Sequence, residues 1–313
     1  MIKNKNRTEA PARWSIRRLA KYLSISLLVG VFIAALLDIG LAWGYIWFLM
    51  HPGCPLDNQT VKAPAVEVWL QAGEGRRLMV WYSPPQNGAV VIALGGLEGA
   101  LGGNLPPVHF LIERGYGALQ IGSRACARPP LPVTLGAREA DEVAAALEFL
   151  QAQREVQRVG IMGYSMGAAA AIRSAARYAE IEAVVAEGGY FNLGEDIVET
   201  GGNEPLARRI FYYTIAGAYW LQSGINPWEI SPIEDLPAIS PRAVLLIYGE
   251  HEASSGRAEA QYAAALEPRF LWIVPGGTHG GNYRQATQEY ERRVLEFFDQ
   301  TLTGNNPMVN FLP

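Results

Sequence analysis

A serine stands between two glycines where an apolar segment meets a run of small residues. The stretch reads Gly163-Tyr164-Ser165-Met166-Gly167, with Val-Gly-Ile-Met before it and Ala-Ala-Ala-Ala-Ile after it. Such a serine is nucleophilic when a strand turns sharply into a helix, and the glycines remove the Cβ atoms that would clash across that turn. A chance match in a chain with 33 glycines is the alternative, which the flanking segments disfavour. The pattern predicts Ser165 as a nucleophile.

A serine nucleophile needs a base, and the chain contains four histidines. His51 follows the apolar amino-terminal stretch, and His109 lies in an apolar helical segment. His251 stands between two glutamates. His279 lies in a glycine-rich loop after the last apolar strand, from which it can reach the carboxyl edge of a parallel sheet. We predict His279 as the general base.

The third member of such a triad is an acid that lies between the serine and the histidine in the chain. Glu250 and Glu252 follow the apolar strand that ends at residue 248, and Glu187 follows an earlier strand. The run Glu250-His251-Glu252 also contains residue types that bind metals, but adjacent residues at a strand end rarely converge on one ion. The residues alone leave the choice among three glutamates open.

Short apolar segments alternate with helical segments between residues 65 and 304, which predicts one α/β domain. From the third strand onward the segments are almost continuous in Val, Ile, Leu and Ala, as in parallel strands buried on both faces. The predicted strands are 66–70, 78–83, 89–94, 118–121, 159–163, 183–186, 243–248 and 271–274. The predicted helices are 135–152, 166–178, 257–266 and 287–302. We therefore expect a mostly parallel eight-stranded sheet with helices on both faces.

An aromatic-rich stretch at 191–240 interrupts this alternation after the sixth strand. It is either a helix pair packed over the sheet or a lid whose apolar side lines an acyl pocket. In both cases it is a helical insertion over the carboxyl ends of the strands.

The amino-terminal segment predicts a membrane anchor. Residues 1–22 carry seven Lys or Arg against one acid, and residues 23–50 are apolar over a length that crosses a bilayer. A cleaved signal peptide, a buried helix and a lipidated Cys54 are weaker interpretations. An ionised carboxylate inside a bilayer is costly. We therefore expect Asp38 to lie near the outer end of the span, to be paired with another group, or to be protonated. A linker at 51–64 and a tail at 305–313 flank the domain.

The charge asymmetry around the apolar stretch predicts orientation. Only Lys62 is basic in the twenty residues after it, so the amino terminus is expected in the cytoplasm and the domain outside. In that compartment Cys54 and Cys126 could form a disulfide.

Composition excludes several other classes. A net charge of -4 disfavours nucleic acid as the main partner. Two cysteines do not make a disulfide scaffold or a zinc cluster, and no phosphate-binding glycine motif is present. We expect neither a metal nor a cofactor.

Residues from about 65 to 302 resemble the α/β-hydrolase superfamily, near bacterial serine aminopeptidases and acyl-thioester hydrolases. The resemblance is carried by the motif at 163–167, by the loops after the third and seventh strands, by Ser-Pro-Ile at 231–233 and by 239–242. It implies the α/β-hydrolase fold and cleavage of an ester, thioester or amide. The implied substrate is a small or acylated, lipid-like molecule. Acyl transfer by the same triad and a non-catalytic binding protein are the alternatives.

The resemblance also implies site residues. The family's acid falls on Glu252, where Glu replaces the usual Asp. The family's oxyanion hole falls on the backbone N–H groups of Leu97 and Met166. The chain departs from the family in two further places, with Gly95 where a histidine is common and Gly122-Ser123-Arg124 where Asp-x-Arg is common.

Overall fold

The computed structural model describes residues 16–54, 65–72, 75–97, 107–199 and 205–304. Most of the predicted basic segment and linker and the whole predicted tail lie outside the described residues. The predicted fold class is confirmed: the described residues form an eight-stranded sheet with helices on both faces, preceded by one long apolar helix.

The sheet has the order β1-β2-β4-β3-β5-β6-β7-β8. Strands β3 to β8 run parallel, whereas β1 pairs antiparallel with β2, and β2 pairs antiparallel with β4. The strands are β1 Val66–Ala72, β2 Arg76–Ser83, β3 Ala89–Leu94, β4 Gly117–Ile121, β5 Arg158–Tyr164, β6 Ile181–Glu187, β7 Ala243–Gly249 and β8 Arg269–Val274. Each predicted strand lies within an observed one. The strand order reverses around β3, and ligand sites of open α/β sheets lie at such points.

The parallel strands are buried because helices cover both faces. All six residues of β3 are buried. Val90, Ile92 and Leu94 enter one apolar cluster, and Ala89 and Val91 enter the other, as the two-residue period of a strand requires. The sequence therefore shows a continuous apolar run instead of an alternating one.

The helices follow the predicted order, with different ends. They are α1 Ile16–Met50, α2 His109–Glu113, α3 Glu139–Gln151, α4 Met166–Arg177, α5 Leu193–Glu199, α6 Leu206–Ser223, α7 Pro232–Asp235, α8 Ala258–Ala264, α9 Asn282–Gln285 and α10 Thr287–Phe298. The prediction that a helix begins at residue 135 is wrong. Leu135 and Gly136 both have positive φ, and the Glu139 carboxylate accepts hydrogen bonds from the N–H groups of Thr134 and Gly136. These contacts form a turn before α3.

Helix α1 is long and apolar enough to cross a membrane, and most of its side chains are exposed. Its carboxyl-terminal turns differ from the rest. Ala42, Ile46 and Met50 repeat every four residues on one face of the helix and are almost fully buried. They share an apolar cluster with Ile215 and Tyr219 of α6. The end of α1 is therefore part of the folded domain.

Helices α5, α6 and α7 lie between β6 and β7, where the insertion was predicted. The Thr214 hydroxyl donates a hydrogen bond of 2.6 Å to the Asp38 carboxylate of α1. Gln222 donates one of 3.0 Å to the carbonyl of Trp43. Asp38 is thus paired with the insertion.

Cys54 and Cys126 form a disulfide, as the sequence allowed. Cys54 lies four residues after the end of α1, and Cys126 lies in the short 3-10 turn after β4. The bond ties the end of α1 to the sheet.

Candidate active site

Ser165 lies in the turn between β5 and α4, at φ 55° and ψ −119°. A non-glycine residue rarely adopts a positive φ, and such strain is concentrated at functional sites. The two motif glycines allow this turn. A Cβ atom at Gly163 would lie 2.0 Å from the Gly167 carbonyl oxygen, and one at Gly167 would lie 2.3 Å from the Leu94 carbonyl oxygen. Larger residues do not fit at either position.

The imidazole of His279 reaches Ser165. Its Nε2 lies 2.9 Å from the Ser165 Oγ, across 114 residues of sequence. The two residues meet because β5 and β8 run parallel, so the segments that follow them leave the same edge of the sheet. The imidazole is about half exposed. A hydroxyl at this distance can donate its proton to a neutral imidazole.

Glu252 binds the other ring nitrogen of His279. Its Oε2 lies 2.6 Å from Nδ1, while its Oε1 accepts hydrogen bonds from the Gly249 N–H at 2.8 Å and the Asn282 amide at 2.9 Å. Burial alone would raise the pKa of Glu252. The hydrogen bonds from His279, Gly249 and Asn282 outweigh that effect and hold this pKa below its ordinary value. The carboxylate therefore stays ionised.

Gly188 leaves room for this contact. It has a positive φ of 61°, and a Cβ atom there would lie 3.1 Å from the Glu252 Oε2 and 3.2 Å from the His279 Nδ1. A side chain at this position would push against both groups at once.

The other two candidate acids make different contacts. The exposed Glu250 accepts a hydrogen bond of 2.7 Å from the Gly276 N–H. Glu187 is buried and accepts one of 2.7 Å from the Tyr290 hydroxyl. Burial raises the pKa of Glu187, although hydrogen bonds from Tyr290 and Asn282 oppose the shift. Of the three predicted glutamates, the structure brings Glu252 to His279.

The predicted oxyanion residues lie close to the serine turn. Met166 is the first residue of α4, so its N–H belongs to the helix start, where no intrahelical acceptor is available. Leu97 follows β3, and both residues belong to the same apolar cluster. A Cβ atom at the neighbouring Gly96 would lie 3.0 Å from the Ser165 Cβ. The loop after β3 therefore passes directly beside the serine.

Arg124, at the position where the family often has Asp-x-Arg, is buried behind this loop. Its guanidinium donates to Glu142 at 2.6 Å and to the carbonyl of Pro132 at 2.9 Å. Burial raises the pKa of Glu142 to about 8, although Arg124 lowers it. The two residues connect the end of β4 to α3, and they line a cavity together with Gly95, Gly96 and Met166.

The remaining histidines lie elsewhere. The Nδ1 of His51 is 2.9 Å from the Trp47 carbonyl oxygen, and His109 contacts Tyr283 and Glu291. His251 is exposed. Glu250 accepts a hydrogen bond from the Gly276 N–H, whereas Glu252 contacts His279. The side chains of residues 250–252 therefore do not converge on a common metal site.

The sequence did not point to Asn282 or Gly188. Asn282 is fully buried and holds the Glu252 carboxylate. The sequence feature that could have indicated this role is the position of Asn282, three residues after His279 in the segment that follows β8. Gly188 follows the sixth strand directly, but its effect depends on β6 and β7 lying side by side.

Residues 133–201 match the profile of the Dienelactone hydrolase family. A segment of 64 residues is 45% identical to the uncharacterised protein PA2218 of Pseudomonas aeruginosa, covering 20% of this chain and 17% of that one. The uncharacterised protein YfhR of Escherichia coli O157:H7 is 25% identical over 255 residues, covering 77% and 83% of the two chains.

Solved structures share the fold. The esterase Pf2001 of Pyrococcus furiosus superimposes with a TM-score of 0.60 at 21% identity, over 81% of this chain and 98% of that one. This similarity shows the α/β-hydrolase fold, and the family match supports a hydrolase.

Proposed function

We propose that this chain, which has the α/β-hydrolase fold, is a membrane-anchored serine hydrolase that cleaves an ester, thioester or amide. One observation carries the proposal: the hydroxyl of Ser165, both ring nitrogens of His279 and the carboxylate of Glu252 form a continuous chain of contacts. That arrangement is what an activated serine requires.

In the acylation step the Ser165 Oγ attacks the carbonyl carbon while its proton passes to the His279 Nε2. The N–H groups of Met166 and Leu97 donate hydrogen bonds to the oxygen that becomes negative. The bond to the leaving group then breaks, and the leaving group takes the proton from His279. Water next loses a proton to His279 and attacks the acyl-enzyme. The bond to Ser165 then breaks, the acid leaves, and His279 returns the proton to the Ser165 Oγ.

Glu252 acts through the imidazole. Its contact with Nδ1 keeps the ring proton on that nitrogen, so Nε2 is free to accept the proton of Ser165. Once the imidazole is charged, the adjacent carboxylate stabilises it. The lowered pKa of Glu252 supports this role, because the carboxylate must remain ionised throughout the cycle.

We further propose that α1 is retained as the anchor and that the domain lies outside the cytoplasm. Cleavage of α1 would remove Ala42, Ile46 and Met50 from the cluster that they share with α6. The basic residues before the span favour a cytoplasmic amino terminus. The disulfide is typical of an oxidising compartment.

The substrate is proposed to be acylated or lipid-like. Met166 and Leu97 pack in one apolar cluster with Ile215, Ala218 and Tyr219 of the insertion. An acyl chain bound beside the serine would therefore contact apolar side chains. Acyl transfer is the second candidate, because it would use the same three residues with another nucleophile in place of water.

Turnover of a series of p-nitrophenyl esters, from acetyl to decanoyl, tests the proposal on the full chain in detergent micelles. Ser165→Ala should lower kcat/KM by about 10⁴-fold or more. Ser174→Ala is the matched control in the same helix, because in the described part of the chain the Ser174 hydroxyl donates to the backbone carbonyls of Ala140 and Ala170, and it should retain activity. Equal activity of Ser165→Ala and wild type would overturn the mechanism, and a strict preference for acetyl would overturn the substrate class.

A further inference from the structure

Helix α6 carries an apolar stripe on its exposed side. At about 100° per residue the stripe occupies an arc of roughly 100° along the helix. Its members are each more than half exposed: Leu206, Ile210, Tyr213, Trp220 and Leu221. Gly217 lies within the same arc, and a Cβ atom there would meet open space. Exposed apolar surface of this kind marks an interaction site.

The side of α6 opposite the stripe is packed against the domain. Ile215, Ala218 and Tyr219 are buried in the cluster that contains the end of α1. The helix is therefore apolar on two sides, of which the domain covers one. A helix that is apolar on both sides is expected where its second side also contacts an apolar environment, such as another protein surface or lipid.

The contacts between α6 and α1 fix the level of the stripe along the anchor. A hydrocarbon core of about 30 Å takes about 20 helical residues, so a span that begins between Leu19 and Tyr22 ends between about Asp38 and Leu41. Thr214 contacts Asp38, and Gln222 contacts Trp43. The middle of α6 therefore lies at the outer end of the span, and its amino terminus points in the same direction as that of α1.

The residue types suit an interface. Tyr213 and Trp220 lie in the stripe, and Trp43 and Tyr45 are exposed at the same level of α1. Tyr and Trp are enriched where hydrocarbon meets headgroups.

We propose that the apolar stripe of α6 inserts into the outer interface of the bilayer that α1 spans. This proposal rests on the proposed role of α1 as an anchor. The insertion is then a lid seated in the membrane, and the apolar cluster behind α6 leads from lipid to Met166 beside the serine. A lipid-like ester would reach Ser165 from the bilayer without crossing bulk water.

Spin-label accessibility on the full chain in phosphatidylcholine–phosphatidylglycerol vesicles tests the insertion. Single labels are placed at Tyr213→Cys and Leu221→Cys in the stripe, at Leu28→Cys on the anchor and at Leu266→Cys on the domain. These side chains are all about half or more exposed, and the native cysteines are bonded to each other. Collision rates are measured with molecular oxygen, which partitions into lipid, and with a water-soluble nickel chelate.

The stripe labels should show an oxygen-to-nickel collision ratio several-fold above that at Leu266 and below that at Leu28, which lies in the middle of the span. A ratio equal to that at Leu266 would overturn the proposal, as would shielding from both reagents, which indicates a second copy on the stripe. A low ratio at Leu28 as well would instead overturn the anchor, and the stripe proposal with it. The hydrolase proposal is tested separately by ester turnover.

Discussion

The carboxylate of Glu252 lies 2.6 Å from the Nδ1 of His279, although the two residues are on loops after different strands. The same carboxylate accepts hydrogen bonds from the Gly249 N–H and the Asn282 amide. It is therefore held by three donors. A glutamate is one methylene longer than the usual aspartate, and these donors fix the longer side chain in place.

Replacing this acid tests its role. Glu252→Gln keeps the size of the side chain but loses the charge that orients and stabilises the imidazole, so kcat should fall by about 10³- to 10⁴-fold. Glu250→Gln is the matched control two residues away and should change kcat by less than about threefold, because Glu250 is exposed. A larger loss in Glu250→Gln than in Glu252→Gln would assign the acid to Glu250.

The serine turn should not tolerate a methyl group at residue 163. Gly163→Ala would place Cβ 2.0 Å from a backbone oxygen, which forces the turn open. We expect a loss of about 1–3 kcal/mol in the free energy of unfolding and on the order of 10² in kcat. A Cβ atom at Gly217 would meet open space. Gly217→Ala should therefore leave kcat unchanged and stabilise the helix by up to about 1 kcal/mol. Equal turnover and equal thermal unfolding of the two variants would show that the turn has room for a side chain at residue 163.

The buried carboxyl of Glu187 should make stability depend on pH. Burial raises the pKa of Glu187 in the folded state above the ordinary 4.5. The contribution of the protonated carboxyl to the free energy of unfolding is therefore complete below pH 4.5, and it is lost as the pH rises through the raised pKa. Glu187→Gln removes this titration and retains an acceptor for Tyr290. Its melting temperature should equal that of wild type near pH 4.5 and exceed it at pH 8, by about 2–4 °C per kcal/mol. A variant that is less stable at pH 8 would show that the carboxylate is needed there.

Removing the disulfide should weaken the folded state. The bond closes a loop with a sequence separation of 72 residues, so Cys126→Ser should cost about 2–5 kcal/mol. Denaturant unfolding with and without dithiothreitol measures this loss. Reductant should shift the wild-type midpoint to that of the variant and leave the variant unchanged. A wild-type midpoint that is insensitive to reductant in the unfolding range would argue against the bond.

The strands were predictable because helices cover both faces of the sheet, which requires continuous apolar runs such as the one in β3. Ser165 and His279 were predictable for a related reason. Their segments follow parallel strands, whose carboxyl ends share one edge of the sheet.

Other features depend on contacts that no local pattern records. The choice among Glu187, Glu250 and Glu252 depends on where each side chain finds donors. The burial of Ala42 and its neighbours against α6 depends on the path of the insertion back to the anchor. The role of Asp38 likewise follows only from its hydrogen bond with Thr214.

Whether Ser165 is an activated nucleophile is tested by mass spectrometry of the full chain after reaction with a fluorophosphonate, which phosphonylates activated serines. We expect one adduct, on the peptide that contains Ser165, and its loss in Ser165→Ala and His279→Ala. An adduct on another serine, or a folded wild-type chain that does not react, would contradict the assignment of Ser165 as the activated nucleophile.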